Sequence, residues 1–136
     1  MENCIFCKIV KGKIPSSKVY EDSEVLAFLD IAPVNIGHAL VIPKKHFVNI
    51  HDTPEEILGY MMRVAKNIAK AIKETTGAEG INININNEPA AGQIIFHTHL
   101  HVIPRYAADG FKLWHGRRGY EEGEKDEVAK KIIRAL

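Results

Sequence analysis

The chain is poor in the features that would mark it for a membrane, a disulfide scaffold or a polyanion. Its only two cysteines, Cys4 and Cys7, are too few for a disulfide framework, and their spacing points to metal or redox use. No apolar run approaches the roughly 18 residues of a membrane-spanning helix. Lysine and arginine total 18 against 17 acidic residues, a formal net charge of +1. A nucleic-acid or membrane-surface footprint wants a basic excess, so neither is expected as a partner. Cys4 and Lys11-Gly12-Lys13 interrupt the opening before any long apolar stretch, so no signal peptide is read and a cytoplasmic setting is expected. Repeats, low-complexity tracts and linkers are also lacking. With 46% hydrophobic and 26% charged residues over 136 positions, the composition is that of one soluble domain, 1–136.

What is present reads as an α+β domain with an antiparallel sheet, one long helix and a short C-terminal helix. Lys18 to Glu21 and Val25 to Leu29 form a hairpin turning at Asp22-Ser23. Asp30 to Gly37 is a loop, and His38 to Pro43 a mostly buried strand. Thr53, Pro54 and Glu56 spell an N-cap, a first helical residue and a capping box. Ile57, Leu58, Met61, Val64, Ala65, Ile68 and Ile72 then recur at helical spacing, and Gly77 supplies a stop. The long helix therefore runs from about Pro54 to Thr75. Ile81-Asn82-Ile83-Asn84-Ile85-Asn86 alternates as a strand with isoleucines toward the core. Asn86 to Gln93 is a loop, and a short helix spans about Lys125 to Leu136.

His97, His99 and His101 stand at alternate positions, so on a strand they share one exposed face while Thr98, Leu100 and Val102 line the other. Imidazole serves as nucleophile, general acid or metal ligand near neutral pH. Cys4-x-x-Cys7 is half of a zinc site, or simply a pair of small buried apolar groups. His97 and His101 would lie about 13 Å apart on a strand, too far for both to reach one metal. One end histidine can join the cysteines and leave the other two free. Taken alone, His38 reads as a satisfied histidine or a site residue, and Asp30 as a turn-former or a hydroxyl acceptor. His46, His51 and His115 read as solvated. Asn86, Gly92 and Gln93 together suggest an anion cradle just ahead of the histidines.

His97-Thr98-His99-Leu100-His101-Val102-Ile103 resembles the signature of the histidine triad (HIT) superfamily of nucleotidyl hydrolases and transferases. Cys4-Ile5-Phe6-Cys7-Lys8-Ile9, Ala27-Phe28-Leu29-Asp30-Ile31, Gly37 to His46, and Asn86 through Ala91-Gly92-Gln93 follow in the expected order. The likeness covers Cys4 to Arg105 and is closest to the purine-nucleoside phosphoramidase branch and its bacterial and archaeal relatives. It implies an α+β fold whose sheet continues across a homodimer. It also implies a purine nucleotide (AMP or GMP moiety) as the small-molecule partner.

In that reading His99 is the nucleophile, His101 holds a phosphate oxygen, and His38 and His97 complete the catalytic set. Asn86, Gly92, Gln93 and Ile94 contact phosphate, Asp30 accepts from the ribose hydroxyls, and Ile5, Phe6, Ile14, Phe28 and Ile31 enclose the purine. Cys4, Cys7, His46 and His97 hold one structural Zn2+ per chain. The chain departs from many relatives at Ile94, where a hydroxyl residue is usual, and in its extension over 106–136, where Trp114 does not match the tryptophan of their tails. A dinucleoside polyphosphate hydrolase or phosphorylase is the alternative enzyme reading. A non-enzymatic nucleotide-binding or scaffold protein is the alternative outside enzymes.

Overall fold

A computed structural model describes all 136 residues. Its elements are α1 (Ile5–Val10), β1 (Lys18–Glu21), β2 (Val25–Leu29), β3 (Ala39–Pro43), α2 (Glu55–Thr76), β4 (Gly80–Ile85), β5 (Leu100–Arg105) and α3 (Glu124–Ala135), with a 3-10 turn at Pro89–Ala91. The five strands form one sheet in the order β1-β2-β3-β5-β4, with every neighbouring pair antiparallel. The α+β expectation is met.

The apolar runs of β2 and β3 are continuous because both faces of the sheet are covered. Val25 and Ala27 of β2, Ala39 and Val41 of β3, and Leu100 and Val102 of β5 meet Met61, Val64, Ala65, Ile68 and Ile72 of α2. The alternate residues Leu26, Phe28, Leu40 and Ile42 meet Phe6 and Ile9 of α1 on the opposite face. The short N-terminal helix thus roofs the side of the sheet that carries the histidines.

Three local expectations are corrected. Thr53 does not cap α2: the helix starts at Glu55 with Pro54 in the cap position and no side-chain cap. The Thr53 hydroxyl is buried instead, donating to Asn49 O at 2.6 Å and lying 2.7 Å from Thr98 Oγ1. A tertiary partner outcompeted the local one. The isoleucines of β4 do not all bury, since Ile81 and Ile85 pack on the core while Ile83 stays 37% exposed on an edge strand. The histidines are not on one continuous exposed strand. β5 begins only at Leu100, leaving His97 in a bend, and His97 and His99 are buried.

The stop at Gly77 forms as expected, with φ +71 and its N–H closing on Lys73 O. Beyond β5 the chain is held to the body near its start, with Tyr106 Oη donating to Thr76 O at 3.1 Å and Ala107 N to Glu79 Oε1 at 3.1 Å. Arg105 grips Asp109 with Nε at 2.7 Å and Nη2 at 3.0 Å, and donates to Asn82 Oδ1 at 2.8 Å. The helix α3 has no buried residue.

Candidate active site

His38, His97, His99 and His101 each have one ring nitrogen facing a backbone group of fixed polarity, or a ring already fixed in that way, and this assigns the proton on each. His97 Nε2 lies 2.8 Å from Pro43 O. A carbonyl only accepts, so Nε2 carries the hydrogen and Nδ1 keeps its lone pair. His99 Nδ1 lies 2.7 Å from His97 O, so Nδ1 is protonated and Nε2 holds the lone pair. His38 runs the other way, because the Val34 N–H donates to its Nδ1 at 3.0 Å. Its Nε2 therefore carries the hydrogen and donates to His101 Nδ1 at 2.9 Å, which leaves the His101 proton on Nε2. Burial pushes His101 down to about 4, with repulsion from His99 and His38 adding to it and Asp30 opposing. Burial lowers His99 and His38 in the same sense, with Asp30 opposing, which favours the neutral form of all three rings.

The His97 lone pair faces a cluster. Its Nδ1 lies 3.4 Å from Cys4 Sγ, 3.6 Å from Cys7 Sγ and 3.2 Å from His46 Nδ1, while Cys7 Sγ lies 3.3 Å from His46 Nδ1. Tetrahedral zinc with ordinary bond lengths sets nitrogen–nitrogen edges of about 3.3 Å and nitrogen–sulfur edges of about 3.6 Å. The four residues fit the metal on both distance and donor chemistry. Helix α1 explains the cysteines: Cys4 is its N-cap, its Sγ accepting from Cys7 N at 3.4 Å, and one helical turn brings both thiols together. With Pro43 O orienting His97 from behind, the set has the outer support that ligand histidines usually have.

A second group, Asp30, His38 and His101, also lies within 4.8 Å of one another. Here the same reasoning argues against a metal. A cation on His38 Nε2 would require Nδ1 to hold the proton, yet Val34 N–H already points at Nδ1. His38 and His101 form a hydrogen-bonded pair, with the Asp30 carboxylate beside it at 3.6 Å from His38 Nε2.

His99 and His101 line a cavity of about 440 Å³. Ile5, Phe6, Ile14, Phe28 and Ile31 line it too, as do Asp30, Asn86, Gly92 and Ile94. Phe6 sets its ring edge-on to both His97 and His99, at 5.8 and 5.2 Å between centroids. Asp30 Oδ1 accepts from Ala32 N at 2.9 Å, and Oδ2 stands 3.6 Å from His38 Nε2. Gly92 has φ +91, which strains any residue with a Cβ.

Gln93 is placed differently from the expectation. It does not line the cavity, because its amide donates to Val48 O at 2.6 Å and Ile95 O at 3.1 Å, and its Oε1 accepts from Glu88 N at 2.7 Å. It braces the loop at Glu88, whose φ of +71 is the one positive value outside glycine. His38 likewise stands behind His101, outside the cavity lining. Sequence reasoning missed Ile9, Pro15, Ser16, Leu29, Ala32, Leu40 and Ile95 as lining residues. Leu40 had a signal, since it alternates in β3 and pairs with His101 across the sheet. His51 and His115 lie exposed, outside both clusters.

The HIT domain pattern matches residues 11–108. Protein hit of Bacillus subtilis is 51% identical over 111 residues, covering 81% of this chain and 77% of that one. Adenylylsulfatase HINT3 of Arabidopsis thaliana is 44% identical over 107 residues, 79% of this chain but 54% of the plant protein. The crystal structure of a zinc-bound histidine triad family protein from Mycobacterium smegmatis superposes with a TM-score of 0.79 at 40% identity, covering 99% of both chains. With the domain match spanning most of its length, this chain belongs to the HIT family of nucleotide-binding and nucleotide-hydrolysing proteins.

Proposed function

We propose that the protein hydrolyses purine nucleoside 5′-phosphoramidates at the P–N bond, through a nucleotidyl group carried on His99. The observation that carries this reading is the unprotonated Nε2 of His99, in a ring lining an apolar cavity, with its Nδ1–H anchored on His97 O at 2.7 Å. Attack by Nε2 on the α-phosphorus places positive charge on the ring, and the carbonyl at Nδ1–H stabilises it. The P–N bond breaks as the N–P bond to His99 forms, and the amine takes a proton from solvent as it leaves. His101, holding hydrogen on Nε2, is suited to donate to a non-bridging phosphate oxygen. Water then cleaves the nucleotidyl-histidine and regenerates the neutral ring.

Asp30 accepts from the ribose, and Ile5, Phe6, Ile14, Phe28 and Ile31 hold the purine. Asn86 contacts phosphate with Nδ2, its Oδ1 being engaged by Asn84 at 3.1 Å. Ile94 offers a backbone N–H group, Gly92, whose own N–H donates to Pro89 O at 3.0 Å, lets the chain approach closely, and Gln93 acts by bracing their loop. Cys4, Cys7, His46 and His97 hold one zinc ion with no open position, a structural metal. The chain works as a cytoplasmic homodimer, a reading supported by the unpaired edge of β4 and its exposed Ile83.

A second reading is favoured by the Arabidopsis relative named adenylylsulfatase. Adenosine 5′-phosphosulfate presents the same α-phosphorus with sulfate as leaving group, which departs without a proton. Ile94 bears on this choice, because its side chain offers no hydroxyl to protonate an amine. The test is kcat/KM for adenosine 5′-phosphoramidate, adenosine 5′-phosphosulfate and diadenosine triphosphate on one zinc-replete preparation. Preference for the phosphoramidate is the expected result. Preference for the sulfate or the dinucleotide moves the assignment to that leaving group.

A further inference from the structure

Resting on the nucleotidyl-transfer reading above, we propose that Asn35 and Asp109 are positioning residues. They couple the root of the C-terminal tail to the proton arrangement of His38 and His101. The proton on His101 Nε2 depends on His38, and the only hydrogen bond that fixes the proton on His38 comes from Val34 N–H, at 3.0 Å from Nδ1, the Asp30 carboxylate standing off at 3.6 Å from Nε2. Whatever fixes Val34 therefore fixes the pair. The loop carrying it is not held by apolar burial: Ile31 is 96% exposed and Ile36 81%.

Hydrogen bonds hold this loop, and they converge on Asn35. Its carbonyl accepts from His38 N at 3.0 Å, closing the turn around Val34. Its Nδ2 donates to Pro104 O at 2.9 Å and to Asp109 Oδ2 at 3.0 Å. Asp109 is in turn saturated by its own segment. Beyond the two Arg105 contacts, it accepts from Tyr106 N at 3.1 Å and Phe111 N at 3.0 Å. The Arg105 guanidinium, with those amides, holds the Asp109 carboxyl far below the usual carboxylate range, so it stays ionised.

The chain of contacts runs from the tail root through Asp109, Asn35 and Val34 to His38 and His101. Without the Asn35 amide the loop loses its fixings to β5 and the tail. Val34 N–H then ceases to select the His38 tautomer, and a proton shifted to Nδ1 would set two lone pairs face to face between His38 and His101. His101 would lose its Nε2–H as a phosphate donor, while the apolar cavity for the base stays intact.

The experiment is nitrogen-15 NMR of the histidine rings in the full, zinc-replete chain at neutral pH, beside kcat and KM for adenosine 5′-phosphoramidate. Wild type, Asn35→Ala and Asp109→Asn are compared. The wild-type His38 should be a single Nε2–H tautomer, and Asn35→Ala should give a mixture. In that variant kcat should fall about 10- to 100-fold with KM nearly unchanged, the scale of a misplaced catalytic group. Asp109→Asn should move both readings the same way by less, and it carries the test alone if Asn35→Ala fails to fold. Wild-type tautomer and wild-type kcat in both variants would overturn the coupling, as would a wild-type His38 protonated at Nδ1. A tautomer shift in the variants of a chain that turns over no phosphoramidate would uphold the coupling and sink the functional reading instead.

Discussion

Ser16 and His99 mark opposite extremes of how a side chain is used. Ser16 Oγ is a buried side-chain polar atom without a hydrogen-bond partner, and it sits in a residue that lines the cavity. An unpaired buried hydroxyl costs about 1–3 kcal/mol, so Ser16→Ala should leave stability unchanged or raise it by up to that amount. Urea denaturation of the nucleotide-free chain measures this, and a drop of more than about 1 kcal/mol would mean that the hydroxyl has a structural partner. His99, by contrast, contributes a reactive lone pair and little to the core. His99→Ala should lower phosphoramidate turnover by at least about 10³-fold while AMP still binds, checked by single-turnover kinetics and calorimetry. The histidine spacing drew attention to His99 and His101 in the sequence itself, and both line the cavity. The protons were not legible there, because they are set by Pro43 O, His97 O and Val34 N–H, backbone groups whose approach only the folded chain defines.

Elements were readable where the pattern was long and hidden where a distant partner took over. The helix α2 announced itself through seven apolar positions and Gly77, yet its N-terminus was misread because Thr98, 45 positions away, claims the Thr53 hydroxyl. The β1–β2 hairpin shows a local device the spacing did pick out at Asp22. Its Oδ1 accepts from Glu24 N at 2.8 Å and Val25 N at 2.9 Å, and its Oδ2 receives the hydroxyls of Tyr20 and Tyr60. Desolvation pushes this carboxyl up, but the Tyr60 and Tyr20 hydroxyls and the two amides outweigh it and hold the group well below its usual 3.8. The folded state therefore binds this proton more weakly than the unfolded chain does. The stabilisation is complete above the unfolded value near 3.8 and is lost as pH falls below it toward the folded value. Between about pH 5 and pH 2 the wild-type denaturation midpoint should drop more steeply than that of Asp22→Asn. Parallel slopes in chemical denaturation would remove Asp22 from the acid response.

At the scale of the molecule, three elements meet at the metal cluster: α1 through Cys4 and Cys7, the segment after β3 through His46, and the bend before β5 through His97. The cysteine pair, and the motif order of the family it resembles, made this cluster predictable. The tail was less legible, because Asp109 at its root also holds Asn35, 74 positions earlier in the chain. Zinc binding to such a cluster is folding free energy, so metal removal should act on stability first. Treatment with a strong chelator should lower the melting temperature by about 10 °C or more and expose two titratable thiols. A chelated chain that melts as before would show that the cluster closes without metal.

Position 97 divides two duties between two kinds of atom. Its ring joins the cysteine cluster, while its main-chain oxygen orients the ring of His99, the nucleophile of the proposed reaction. Every amino acid has that oxygen, so the alphabet permitted at 97 is set by assembly and not by reactivity. A lineage that lost both cysteines would be free to change this histidine and still keep the His99 ring oriented. The first histidine of the triad is thus the one whose identity can drift while the chemistry stays.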